Sequence, residues 1–317
     1  MPSTTPTGQL AGTWFIAPTP FTADGAVDTG SLATLVDRAV DWQVDGITIL
    51  GVMGEAPALS DAERIAVLTA VANTCRGRLP FAVGCSAPSA VLVRRRVEQA
   101  VAAGAAAVMI AAPTLLKDTD QLAGFFAAAT DGTGASVIVQ DEPAATGVPL
   151  PVSALLAALD ACGSTTVKLE DPPTPPKIGR LLAARPGLTV FGGLGGVSVQ
   201  SEMRRGAAGT MTGFAFPEIL RAIRLAFEDG RPADAAEIYD RFLPYLVFEG
   251  QPVVGLAIRK EVLRRRGVFS TARTRAARPT IDDATAAELD DVLGRVGLDP
   301  SVTVLDVVAA LTPVGAR

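Results

Sequence analysis

The sequence contains no histidine, and its three cysteines are scattered at Cys75, Cys85 and Cys162. Without histidine, Ser-His-Asp and Cys-His catalysis and all His-ligated metal sites are excluded. Three widely spaced cysteines form neither a metal-binding pattern nor a disulfide framework. We therefore expect no metal and no cofactor, and the free thiols favour a reducing, cytoplasmic location.

Excess positive charge and long apolar runs are also missing. The net charge is -5 and the pI is about 5.0, which argues against a nucleic-acid partner. No apolar run reaches the roughly 18 residues that a membrane span needs, so we expect no membrane partner. The first basic residue is Arg38, and we expect no signal peptide.

Lysine is scarce, since 24 of the 28 basic residues are arginine. The four lysines are Lys117, Lys168, Lys177 and Lys260. Lys168 ends an apolar, β-branched run, where an arginine would serve equally well if only charge were needed. A partly buried lysine can lose its proton and attack a carbonyl, which arginine cannot do. Lys168 is therefore a candidate nucleophile, and the alternative is a strand-end lysine that reaches solvent.

Strand-like and helix-like segments alternate along the chain. Helical spacing appears between the strands, for example at 31–42, 61–72, 90–103 and 153–159, and Ser60 to Glu63 has the pattern of a capping box. Eight β-α units predict parallel strands closed into a (β/α)8 TIM barrel. An open doubly wound sheet is the rival, but no Gly-x-Gly-x-x-Gly follows the first strand. The predicted strands are 13–17, 47–50, 81–85, 106–111, 136–140, 165–169, 188–191 and 209–212.

The last third of the chain has a different pattern. Three further helices are predicted at 234–246, 252–266 and 282–296. We expect a barrel over residues 1–230 and a C-terminal helical extension over 231–317. The stretch 301–317 is apolar enough to dock on the rest of the molecule.

The loops after the barrel strands are expected to carry the chemistry, because TIM-barrel active sites lie at the carboxyl ends of the strands. The turn Gly51–Glu55 is able to hold a carboxylate on its backbone N–H groups, or it is a plain turn. The glycine-rich segment Gly192–Gly196, which contains Gly193, leaves room for a ligand. Lys168 and Glu170 are two residues apart and face the same side of a strand, either as nucleophile and acid/base or as a structural ion pair.

Several of these residues resemble the N-acetylneuraminate lyase / dihydrodipicolinate synthase family of Schiff-base barrels, over roughly residues 10 to 267. Lys168 matches the Schiff-base lysine of that family. The resemblance implies a TIM barrel, a 2-keto acid as small-molecule partner and a homo-oligomer, either a tetramer or a dimer. The resemblance also rests on the segments and residues Pro18-Thr19-Pro20-Phe21, Asp24-Gly25, Val27-Asp28, Gly51-x-x-Gly54-Glu55, Leu59, Glu63, Pro143 and Thr146-Gly147.

The sequence also departs from the family pattern. Both threonines of Gly-Thr-Thr-Gly-Glu are replaced, by Val52 and Met53, and the tyrosine of Tyr-Asn-x-Pro is Gln140. Ala145 stands where an arginine binds the second substrate of dihydrodipicolinate synthesis. Gln-Asp-x-Pro with Lys-x-Glu resembles instead the L-2-keto-3-deoxyarabonate dehydratases. The segments that also fit this branch are Met211-Thr212-Gly213-Phe214, Phe216-Pro217, Glu249-Gly250-Gln251-Pro252 and Arg259-Lys260.

The resemblance implies a Schiff-base lyase that dehydrates a 2-keto-3-deoxy sugar acid. Lys168 forms the imine, and Glu170 acts as acid and base in place of the missing tyrosine. The alternatives are a pyruvate-releasing aldolase that uses the same imine, and a keto-acid-binding barrel without turnover. The residues expected to bind substrate are Val52 and Met53 through their N–H groups, Gln140 and Asp141, which orient hydroxyl groups of the substrate, Gly193, and Thr212.

Overall fold

The computed structural model describes residues 10–116, 118–275 and 280–301. Eight parallel strands close into a barrel in sequence order, with the last strand paired to the first. The predicted TIM barrel is therefore confirmed. The strands are β1 (Gly12–Ile16), β2 (Gly46–Ile49), β3 (Phe81–Gly84), β4 (Ala107–Ala111), β5 (Val137–Asp141), β6 (Thr166–Leu169), β7 (Thr189–Gly192) and β8 (Gly209–Thr212).

Helices follow the strands and surround the barrel. The predicted capping box is present, because Ser60 accepts a hydrogen bond from the Glu63 N–H and the Glu63 carboxylate accepts one from the Ser60 N–H. None of the described helices is long and apolar enough to cross a membrane. The helices are α1 (Thr29–Asp41), α2 (Asp61–Cys75), α3 (Ala90–Ala102), α4 (Leu122–Thr130), α5 (Pro143–Thr146), α6 (Val152–Ala161), α7 (Thr174–Ala184), α8 (Val199–Met203), α9 (Pro217–Glu228), α10 (Pro232–Glu249), α11 (Gly255–Arg265) and α12 (Asp283–Val296).

Strand side chains alternate between two apolar clusters. The small inner cluster fills the barrel and includes Trp14, Met109, Ile138 and Phe191. The large outer cluster lies between strands and helices, and Val137 and its neighbours of the same parity belong to it. Because side chains alternate along a strand, residues 138 and 140 of β5 and residues 166 and 168 of β6 face inward. Lys168 therefore points into the barrel, directly beside Gln140 in the strand register.

Three helices continue the chain beyond the barrel, as predicted. Helix α9 packs against β1, α10 packs on α9, and both α11 and α12 contact α10. We propose that the extension begins after residue 230, between α9 and α10. The predicted helix 252–266 starts only at Gly255, because Val253 has a φ of 71° and interrupts it. The stretch 302–317 lies outside the described residues, so its predicted docking stays a prediction.

Candidate active site

A cavity of about 480 Å³ opens at the carboxyl ends of the strands. Strands β1, β4, β5, β6 and β8 contribute to its walls, as do the loops that follow β2 and β7. The segment between α10 and α11 covers the other side. Of the residues expected to act on substrate, those that line the cavity are Lys168, Glu170, Val52, Met53, Gln140 and Thr212.

Lys168 and Glu170 form a buried pair in this cavity. The Lys168 Nζ lies 2.5 Å from the Glu170 Oε2, and the two residues are 4% and 7% exposed. Gln140 donates from its Nε2 to the same oxygen at 2.8 Å. The Gln140 amide therefore lies beside Lys168, as the pairing of β5 with β6 requires. The arrangement places an amine, a carboxylate and an amide on one face of two adjacent strands.

Gly193 of the loop after β7 makes room for the Glu170 carboxylate and does not line the cavity. A Cβ on Gly193 would lie 2.4 Å from the Glu170 Oε1, so only glycine leaves space for this side chain. The next residue, Leu194, donates its N–H to the same oxygen at 3.4 Å. Gly193 was expected at the substrate, but it is not among the cavity-lining residues, whereas Leu194 and Gly195 are.

Asp141 faces away from the cavity. It has the opposite parity to Gln140, and its carboxylate receives a hydrogen bond of 2.6 Å from the Lys177 Nζ of α7. Lys177 also binds Asp171 at 2.6 Å and the carbonyl of Leu150. Burial raises the pKa of Asp141 to about 6, against the opposing effect of Lys177. Direct contact between Asp141 and a substrate hydroxyl has no support in this position.

The loop after β2 is held in place from two sides. Thr19 donates from its hydroxyl to the Gly54 carbonyl at 2.7 Å. Glu55, at a φ of 51°, forms a buried pair with the Lys260 Nζ of α11 at 2.5 Å. Within the loop, the N–H groups of Gly54 and Glu55 close turns onto Gly51 and Val52. Val52 and Met53 are thereby fixed at the cavity wall.

The C-terminal helices supply a second charged pair. Arg259 of α11 is 3% exposed, lines the cavity, and donates from its Nε to Glu249 at 2.6 Å. Glu249 also accepts from the Tyr245 hydroxyl at 2.6 Å and from the Ala215 N–H at 3.1 Å. Sequence reasoning gave Arg259 no role, because it lies on a helix far along the chain from Lys168.

Glu142 is a second carboxyl group in the cavity wall, and sequence reasoning missed it. Its Oε2 is buried and has no hydrogen-bond partner within the described part of the chain. Burial, and then the neighbouring Glu170, raise the pKa of Glu142 to about 7, while Lys168 acts in the opposite direction. The signal was available, since residues 140 and 142 share a parity just as 168 and 170 do.

No tyrosine hydroxyl replaces the missing phenol. Both tyrosines are described: Tyr245 bonds to Glu249, and Tyr239 donates to the Val197 carbonyl at 2.6 Å. Neither lines the cavity. Over the described ranges, no group of three or more His, Cys, Asp or Glu is arranged to hold a metal ion. Catalysis without metal or cofactor stays a prediction.

Comparison with known proteins identifies relatives across almost the whole chain. The model of the dihydrodipicolinate synthetase family matches residues 9–294. An L-2-keto-3-deoxyarabonate dehydratase from Azospirillum brasilense is 30% identical over 304 residues, which are 93% of this chain and 97% of the relative. A 4-hydroxy-tetrahydrodipicolinate synthase from Porphyromonas gingivalis is 28% identical over 296 residues, covering 91% and 98%.

Solved structures agree with these relatives. The dihydrodipicolinate synthase structure from Rhodopseudomonas palustris superposes with a TM-score of 0.86 at 35% identity, covering 91% of this chain and 98% of the other. A Ruminococcus gnavus sialic acid aldolase has the same fold, with a TM-score of 0.82 at 17% identity, over 90% of this chain and 95% of its own.

Proposed function

The chain belongs to the dihydrodipicolinate synthetase family, a family of lyases, and we propose that it is a Schiff-base-forming dehydratase of a 2-keto-3-deoxy sugar acid. The observation that carries this proposal is the cavity around Lys168, in which the amide of Gln140 stands where the family pattern has tyrosine, and two carboxyl groups, Glu142 and Glu170, line the same wall. The similarity to a 2-keto-3-deoxyarabonate dehydratase supports the same chemistry.

Imine formation follows from the Lys168–Glu170 pair. Glu170 takes a proton from the ammonium, which frees the amine to attack the C2 carbonyl of the keto acid. The protonated Glu170 then returns this proton to the departing C2 oxygen, which leaves as water. The product is an iminium on Lys168 and a carboxylate at Glu170. Before the reaction, the Lys168 Nζ lies 2.5 Å from the Glu170 Oε2.

Proton loss at C3 follows in the same place. The iminium withdraws electrons from C2, so the C3 hydrogen becomes acidic and Glu170 is positioned to remove it. Gln140 bonds to Glu170 and keeps the carboxylate beside Lys168. The substrate carboxylate lies on the N–H groups of Val52 and Met53, in the loop that Lys260 and Thr19 hold.

The distal end of the substrate points toward α11 in this arrangement. Arg259 uses only its Nε in the bond to Glu249, and its remaining N–H groups have no partner among the described residues. Thr212 accepts from the Gly195 N–H at 2.8 Å and presents its hydroxyl at the same wall. These donors and acceptors suit the hydroxyl groups of a sugar acid.

An aldolase that releases pyruvate is the competing activity. Retro-aldol cleavage needs a base at the C4 hydroxyl, and both tyrosine hydroxyls are bonded outside the cavity. A dehydratase needs an acid at the same hydroxyl. Carboxyl groups rather than phenols at this wall therefore favour dehydration.

The assembly and location are proposals as well. We propose a homo-oligomer, dimer or tetramer, of a cytoplasmic protein. Adjacent exposed apolar residues at the start of α3, Val91 at 79% and Leu92 at 42%, support a subunit contact. Sedimentation velocity of the purified protein tests this, and a monomer at micromolar concentration would contradict it.

A panel of 2-keto acids with borohydride tests the proposed function. The panel contains pyruvate and 2-keto-3-deoxy acids of five and six carbons with each configuration at C4. We expect mass spectrometry to show an adduct on the peptide that contains Lys168, and proton NMR to show a dehydrated keto acid without pyruvate. Pyruvate in the products would establish the aldolase, and an adduct without any product would leave a binding protein.

A further inference from the structure

Two carboxyl groups line the cavity on adjacent strands, and their surroundings are opposite. Glu170 accepts hydrogen bonds from Lys168, Gln140 and the Leu194 N–H, so its negative charge is well stabilised. Glu142 has a buried Oε2 that no described residue reaches with a donor. Negative charge on a buried carboxylate oxygen without a donor is costly, whereas a neutral carboxylic acid in the same position costs less. Environments that differ in this way divide a pair of carboxyl groups into a base and an acid.

Glu142 lies in the wall of the cavity that Lys168 and Glu170 also line. In the register of β5 and β6, Gln140 lies beside Lys168, so the residues two further along each chain, Glu142 and Glu170, flank the same space. Pro143 begins α5 directly after Glu142, and the Glu142 carbonyl accepts the Thr146 N–H at 3.1 Å. The backbone of Glu142 is thereby fixed at the cavity wall.

We propose that Glu142 is the general acid that protonates the departing C4 hydroxyl of the substrate, while Glu170 is the base at C3. The inference rests on the proposed dehydratase function and assigns its second proton transfer. It also explains how the chemistry proceeds without the family's tyrosine: the two proton transfers are divided between two carboxyl groups.

The elimination balances with these two groups. Glu170 removes a proton from C3 of the Lys168 iminium, and the C–H electrons form an enamine. The enamine electrons then form the C3–C4 double bond and expel the C4 oxygen, which takes the proton of Glu142 and leaves as water. Hydrolysis of the conjugated iminium consumes one water and releases the unsaturated keto acid or its tautomer. One proton passes back from Glu170 to Glu142 through solvent, so the net reaction is the loss of one water.

The test uses Glu142→Gln with two substrates that differ only at C4. The amide keeps the shape and neutrality of a carboxylic acid but cannot give up a proton to the leaving group. With the C4 hydroxyl, we expect turnover to fall about 100- to 10,000-fold. With fluorine at C4, the group leaves as fluoride and needs no proton, so fluoride release should stay within about threefold of the wild-type rate.

Exchange of the C3 hydrogens in deuterium oxide, followed by NMR, separates the two roles. Glu142→Gln should still exchange them, because Glu170 is intact. Glu170→Gln is the matched control, and it should lose exchange and both eliminations together, while borohydride still traps the Lys168 iminium, which forms more slowly without the Glu170 carboxylate.

Three outcomes would overturn the assignment. If Glu142→Gln removes water at the wild-type rate, Glu142 is not the acid. If it loses fluoride release or C3 exchange as severely as water loss, Glu142 only shapes the cavity. Both results leave the dehydratase function in place, since the wild type still dehydrates. If the wild type forms the iminium but never loses the C4 group, the dehydratase function and the role of Glu142 both fail.

Discussion

Two lysine–glutamate pairs in this protein have the same Nζ–Oε distance of 2.5 Å and different surroundings. The Lys168–Glu170 pair lines the cavity and faces empty space. The side chains of Lys260 and Glu55 are fully buried, and the Lys260 Nζ also donates to the Arg273 carbonyl and lies 4.4 Å from the Phe21 ring centre. A short pair with a carboxylate therefore does not mark a nucleophile; space for an electrophile beside the amine does.

The two pairs also serve the site in different ways. Lys260 connects α11 to the β2 loop, which presents the N–H groups of Val52 and Met53. Lys168 lies where we propose that the imine forms. The roles of the two lysines can be tested separately, because Lys168 contacts Glu170 and Lys260 contacts Glu55.

The largest effect is expected from Lys168→Arg. Arginine keeps the charge next to Glu170 but forms no imine, so turnover should fall on the order of a million-fold, as when a covalent nucleophile is removed. The borohydride adduct should vanish while the melting temperature stays within a few degrees of the wild-type value. Lys260→Arg is the control, and its folded fraction should keep the adduct. An adduct that survives in Lys168→Arg would show that the imine forms on another lysine.

Breaking the buried Lys260–Glu55 pair should lower the stability of the fold rather than the rate of the reaction in the folded protein. Lys260→Met removes the ammonium that faces the buried Glu55 carboxylate, and we expect the free energy of unfolding to fall by about 3–5 kcal/mol. Denaturant titration measures this loss. Adding Glu55→Gln removes the buried negative charge as well, so the double variant should be more stable than Lys260→Met alone. A double variant that loses the sum of both single effects would show that the pair is not coupled.

The smallest effect concerns the pH dependence of turnover. Glu142 must be protonated to act as the acid, and its pKa of about 7 means that the protonated fraction falls as pH rises. The charged groups around it are Lys168 and Glu170 of β6 and, across an adjoining cavity, Arg64 of α2 and Arg96 of α3.

Water loss should therefore decline about tenfold per pH unit above the pKa of Glu142. Release of fluoride from the C4-fluoro substrate should lack this decline, because it needs no acid. Initial rates for both substrates between pH 6 and 9 measure the difference. A parallel decline for the two substrates would assign it to another group.

Most of the fold was predictable because strand and helix periodicities are local. The predicted strands overlap all eight observed strands, and most ends differ by one residue. The second strand was predicted to include Leu50, but Leu50 has a φ of 58° and already belongs to the turn. The start of α11 was predicted three residues early, since Val253 interrupts the helix with a φ of 71°, a conformation that the local sequence pattern does not indicate.

The site was predictable where it follows from strand ends. Lys168 and Glu170 were predicted from strand position and residue type and Gln140 from the family resemblance, and all three line the cavity. Asp141 was grouped with Gln140 although alternation turns the two side chains to opposite faces. The same alternation places the side chain of Glu142, two residues after Gln140, on the cavity side. Arg259 was beyond local reasoning, because only packing of α11 over the barrel brings it near Lys168.

The proposed reacting groups and the cover of the cavity come from different parts of the chain. Lys168, Glu170 and Glu142 lie at or just beyond the ends of two neighbouring barrel strands, whereas residues 250–256 and Arg259 belong to the proposed extension. We expect a mutant library confined to residues 250–256 to alter which acids enter while leaving the amine and both carboxyl groups untouched. The substrate range could then change in evolution without a change in mechanism. Substitutions in one short segment would adapt the barrel to longer or shorter acids.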